Sequence, residues 1–176
     1  DAPTARAIYQ SLSQCGTSLS LPVLGKAAKK VGYAWEESDA TAAYLRLMKK
    51  LVAEGQAKSA VVAAKALLKD TDKSHVRGAA LDIVVSVDGK KALPYLIAAL
   101  KNDNRDYRVN ALRLSENIAD EAWYATLAKT LKGKADASVK ADILNWLGTN
   151  HVTSQVDEVV TQMNASDEEV QTLSLS

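Results

Sequence analysis

The chain has no phenylalanine, a single cysteine, three prolines and two histidines in 176 residues, and each shortage closes off a class of protein. A lone thiol, Cys15, forms no internal disulfide, so a disulfide-stapled scaffold is excluded and nothing is learned about redox compartment. His75 and His151 have no second His or Cys at ligand spacing, which points away from zinc. No apolar run approaches the roughly 20 residues that a membrane-spanning helix needs. There is no Gly-x-Ser-x-Gly turn to present a nucleophile and no glycine loop to cradle phosphate. Net charge is also missing: the balance is +1, too small to imply a polyanionic partner for the whole chain. Its distribution is uneven. Residues 1–101 carry 15 Lys/Arg against 9 Asp/Glu, whereas residues 102–176 carry 7 against 12.

What is present is helical. Hydrophobic residues are 47% of the chain and aromatics only 5%, so the interior is built from Ala, Leu, Val and Ile. Almost nothing alternates with a period of two, and Ala, Leu and Lys recur throughout, which predicts an all-α protein. Three columns then share one period. Arg77, Arg108 and Lys140 are 31 and 32 apart, as are Leu81, Leu112 and Leu144, and again Leu100, Leu131 and Met163. Three columns slipping by the same single residue indicate a copied structural unit.

Within a unit the apolar residues fall at i, i+3, i+4 and i+7, as in Leu93, Leu96, Ile97 and Leu100, or Tyr124, Leu127, Ala128 and Leu131. Such a stripe on each of two helices cannot be hidden inside one hairpin, so the units stack. Asp72, Asp88, Asp120 and Asp136 precede the expected helices as caps, "SDEE" at 166–169 fits a capping box, and Gly25 and Gly78 mark close helix approach. The expected fold is a right-handed α–α superhelix of about four helical hairpins plus a partial fifth. Its units lie near 37–69, 70–101, 102–132, 133–164 and the partial 165–176, behind a less regular capping hairpin near 1–36, all in one domain. Val170, Leu173 and Leu175 lack their expected cover, and the chain opens "DAPTARAIY" without Met. Both suggest a mature or excised piece of a longer protein.

The stretch "DTDKSHVRGAAL...DGKKALPYLIAALKND", from Asp70 onward, resembles HEAT repeats of the short kind. The elements shared are an acidic loop, Val-Arg before an Ala/Leu helix, and an Ala-Leu-Pro second helix. The resemblance covers roughly residues 38–176 and implies an α-solenoid, and Lys140 departs from it where Arg is usual. A second resemblance, carried by "SQCGTSLSLPVLGKAAKKVGYAWEESDATAAYLRLMKKLVAEGQ", is to the N-terminal repeat region of exported bacterial proteins bearing a 3-keto-disaccharide hydrolase-type domain. It implies an exported or periplasmic location and brings no catalytic residue with it.

For function, Arg77, Arg108 and Lys140 read as structural braces, an Arg in the first turn reaching an acidic loop through Asp72, Asp103 or Asp106, with Arg108→Ala costing ~1 kcal/mol. The second helices are expected to line a concave wall. Tyr95, Lys91, Lys101, Trp123 and Lys129 are its candidate binding residues, within a wider basic bias that includes Lys26, Lys29, Lys30, Lys58, Lys65, Lys69 and Lys132. Trp146 reads as core, while Trp35 either packs over a hairpin end or meets a ligand. No catalytic residue, metal or cofactor is expected. The favoured function is a noncatalytic scaffold for a protein or peptide, or for a C-terminal domain of the same parent chain. The alternative is a nucleic-acid binder or an enzyme resembling the HEAT-like DNA glycosylases, disfavoured by the acidic later half.

Overall fold

The computed structural model describes residues 1–150. The capping box at 166–169, His151, Met163, the second helix of 133–164 and the unit at 165–176 lie outside them. The described residues contain no strand; all regular structure is helical. The chain divides into two compact units after Gly89, between the two helices expected for residues 70–101.

The first unit holds α1 (Ala2–Cys15), α2 (Leu21–Lys30), α3 (Ala40–Ala53), α4 (Ala57–Asp70) and α5 (Ser74–Asp88). Asp1 caps α1 by accepting from the Thr4 N–H at 2.9 Å, and Pro3 and Pro22 sit in first turns, where a missing N–H costs nothing. Helix α3 is central and packs on α1, α2, α4 and α5. Its burial therefore goes well beyond one stripe: Ala43, Leu47, Met48 and Leu51 are completely enclosed, and Tyr44 and Leu45 are buried with them. From α4, Ala60, Val61, Ala64, Leu67 and Leu68 join this core, as do Val76, Ala80, Leu81, Ile83, Val84 and Val85 from α5. Alanine at so many contact positions lets the helix backbones approach closely without phenylalanine to fill space.

The second unit holds α6 (Leu93–Ala99), α7 (Arg105–Ser115), α8 (Glu121–Lys132) and α9 (Ala137–Thr149). Asn104 caps α7 through the Tyr107 N–H at 3.0 Å, and Asp120 caps α8 through the Trp123 N–H at 3.1 Å. Asp136 occupies the cap position of α9 without a side-chain bond. Asp88, expected as a cap, is the last residue of α5 and pairs with Lys65. Helix α7 packs on α6 and α9, and α8 packs on α9. The columns with the 31–32 spacing occupy equivalent sites: Arg77, Arg108 and Lys140 are each the fourth residue of their helix. Leu81, Leu112 and Leu144 are buried, and so are Leu100 and Leu131.

Candidate functional site

A trough of about 890 Å³ opens in the first unit between α2 and α4. Leu21 and Pro22 form one wall, Val62, Ala63 and Ala66 the other, and Tyr44 of α3 lies at the base. Small side chains on the facing surfaces, Gly25 on α2 and Ala63 and Ala66 on α4, leave the space between the two helices unfilled. Gly25 is part of this: a Cβ there would meet the Tyr44 ring and hydroxyl at 3.1 Å, so glycine lets the phenol lie against the α2 backbone. Val62 is 63% exposed, a large apolar side chain held in water. Lys26, Lys29 and Lys58 also line the trough, so a mainly apolar floor is bordered by cations.

One end is polar. Asp70, the last residue of α4, accepts from the Tyr33 hydroxyl at 3.1 Å and from Lys29 Nζ at 3.2 Å. Tyr33 follows α2 in a left-handed conformation, φ 56°, directly after Gly32 at φ 60°. That geometry is strained for a bulky residue, and it is held by burial of the ring and by the bond to Asp70. Burial, then the hydrogen bond to Asp70 and its negative charge, push the Tyr33 phenol up to about 12. Burial, helped by Asp70, also raises Tyr44. Both phenols therefore stay neutral and act as donors or apolar surface. A second cavity of about 660 Å³ shares Lys29, Tyr33 and Asp70 and extends to Lys69, Lys73 and Arg77.

In the second unit, the expected binding residues separate. Lys101 and Lys129 come together in a cavity of about 720 Å³ between α6, α8 and the start of α9. Lys91 is exposed in the short 3₁₀ turn Gly89–Ala92, and Tyr95 is half-buried on α6; neither lines that cavity. Trp123 is a correction. It is 1% exposed and part of the core, because the third position of α8 faces inward on the same stripe as Leu127 and Leu131. It offers no surface to a ligand. Trp146 is buried, as its stripe implied. Trp35 is 56% exposed, its ring 5.2 Å from that of His75.

Arg108 is 3% exposed and its guanidinium is fully engaged. Nε donates to Asp142 at 2.9 Å, Nη2 lies 2.8 Å from the same carboxylate, and Nη1 donates to the carbonyls of Asn102 and Asp103 at 2.9 and 3.0 Å. The carboxylate is that of Asp142 on α9, not Asp103 or Asp106. Arg105 supplies a second guanidinium to Asp142 at 2.9 Å. Arg77 and Lys140, at the equivalent positions, are half-buried.

Sequence reasoning missed Tyr33, Tyr44 and Asp70 as groove residues, since Tyr44 shares the apolar face of α3 with Leu47, Met48 and Leu51 and the other two lie at helix ends. The tandem Gly32-Tyr33 beside a run of lysines was the available signal. Among the described residues, no group of three His, Cys, Asp or Glu could hold a metal ion. No described helix is long and apolar enough to cross a membrane. The chain has no significant match to a protein-family model, to a curated protein or to a solved structure.

Proposed function

We propose that the chain is a noncatalytic binding module built as a HEAT-like stack of helical hairpins in a right-handed superhelix, and that it holds an acidic amphipathic segment of another protein. The observation that carries this reading is the trough between α2 and α4. Its volume of about 890 Å³ and its apolar walls suit a helix or extended strand laid along it, and its lysines select for acidic flanks. The exposed Val62 supplies an anchor of the kind that interfaces bury. The same unit exposes Leu19 and Val23, at 85% and 52%, beside Leu21 and Pro22 in sequence. A domain of the same parent chain bearing such a segment fits equally well.

The test is fluorescence anisotropy with a labelled peptide carrying Leu at i, i+3, i+4 and i+7 and Glu on the opposite face. The expected result is saturable binding that Val62→Asp weakens at least tenfold and the pair Lys26→Glu, Lys58→Glu weakens severalfold. A lysine-for-glutamate peptide should bind poorly. No binding, or binding indifferent to Val62→Asp, would sink the proposal. Tighter binding of a single-stranded oligonucleotide at low salt would replace it with the nucleic-acid reading.

A further inference from the structure

The cavity of the second unit differs in kind from the trough between α2 and α4. Its floor is apolar, made by Ile97 and Leu100 at the end of α6 and by Val139 in α9. Around that floor stand Lys101, Lys129 and Lys134, opposed by one carboxylate, Asp136. Among the described residues none of these three lysines has an ion-pair partner, whereas Lys90 on the same unit is paired with Asp120. The two threonine hydroxyls in the lining are already committed: Thr126 donates to the Ala122 carbonyl and Thr130 to the Thr126 carbonyl, both at 2.9 Å. Hydrogen-bond donation to a ligand from side chains therefore falls to the lysines.

Three like charges faced by a single carboxylate leave a net positive charge in the lining, and an anion among the lysines relieves their repulsion. A bare inorganic ion would leave Ile97, Leu100 and Val139 wet, and about 720 Å³ is the size of a small-molecule site. We infer that this cavity is a binding site for a small organic oxyanion, its alkyl or aryl body on Ile97, Leu100 and Val139 and its charged head among Lys101, Lys129 and Lys134. The site is independent of peptide binding in the first unit, and either can fail without the other.

The test is a titration of the isotope-labelled whole chain, followed by amide chemical shifts, with octyl phosphate, nonanoate, octyl glucoside and inorganic phosphate. Octyl phosphate and nonanoate separate a phosphate head from a carboxylate, octyl glucoside removes the charge, and inorganic phosphate removes the tail. At least one anionic amphiphile should shift Leu100, Lys101, Gly133 and Val139 at concentrations at least tenfold below those of octyl glucoside or inorganic phosphate. Lys129→Gln with Lys134→Gln should weaken that binding at least tenfold and leave octyl glucoside unchanged, while Lys129→Arg retains it. Both side chains changed are on the surface, and circular dichroism confirms that the helices persist. Equal binding of octyl glucoside, equal binding of inorganic phosphate, indifference to the double substitution, or shifts centred on Gly25 and Val62 would each overturn the assignment.

Discussion

Arg108 and Asp142 show how burial changes what one residue is worth. Their side chains are 4% and 2% exposed, so removing Asp142 strands a buried guanidinium, and removing Arg108 leaves the buried carboxylate with only the exposed Arg105. Arg108→Ala and Asp142→Ala should therefore each cost about 3–5 kcal/mol in denaturant unfolding, well above the ~1 kcal/mol that an ordinary hydrogen bond implies. Replacing both by apolar residues of similar volume should recover most of the loss. Single variants within 1 kcal/mol of wild type would refute the buried pair. Tyr33 makes a pH-dependent contribution. Its proton is held more tightly folded, with the phenol at about 12, than in an ordinary tyrosine at 10.0. That stabilisation is complete below pH 10 and is lost as pH rises through about 12. Denaturant midpoints measured across this range should fall more steeply for wild type than for Tyr33→Phe, and parallel curves would contradict the upward shift that burial and Asp70 impose on the phenol.

Helix α7 is defined at its start by a cap and along its length by an inward face. Asn104→Ala removes the acceptor for the Tyr107 N–H and should cost ~1 kcal/mol. Leu112 is 1% exposed, so Leu112→Ala should cost about 2–5 kcal/mol through lost transfer energy and the cavity left behind. Because α7 packs on both α6 and α9, hydrogen-exchange protection should drop in those two helices as well. Loss confined to α7 would contradict stacking as the source of stability in the second unit. The width of the inward faces follows from the same packing. The helical stripe of α5 accounts for Val76, Ala80, Leu81 and Val84, yet Ile83 and Val85 are buried too. A helix enclosed by neighbours on several sides needs apolar residues beyond a single seam.

For the whole molecule, charge argues about partners rather than fold. The basic first 101 residues contain the trough, whereas the second cavity draws Lys101 from that part and Lys129 and Lys134 from the acidic remainder. If a peptide binds through apolar contact edged by three lysines, raising salt from about 50 to 200 mM should weaken it by less than about tenfold. A groove tracking six to ten phosphates would lose roughly 10³–10⁵ over that interval. Anisotropy at the two salt concentrations separates these outcomes, and a loss of the larger size would remove the peptide reading.

Local pattern was enough to determine that the described chain is helical and where its helices lie, and to assign Leu81, Leu112 and Leu144 to equivalent buried sites. Those properties follow from apolar spacing and from caps such as Asp120, which act over a few residues. It also found the column of Arg77, Arg108 and Lys140, but not what each member meets. Only packing decided that Arg108 takes Asp142, 34 residues away, that Trp123 turns inward, and that Lys101 and Lys129 gather round one cavity while Lys91 does not. The trough was equally hidden. It exists because Gly25 and the alanines of α4 leave room over Tyr44, and space between two helices is a property of both surfaces together, which neither helix's sequence records alone.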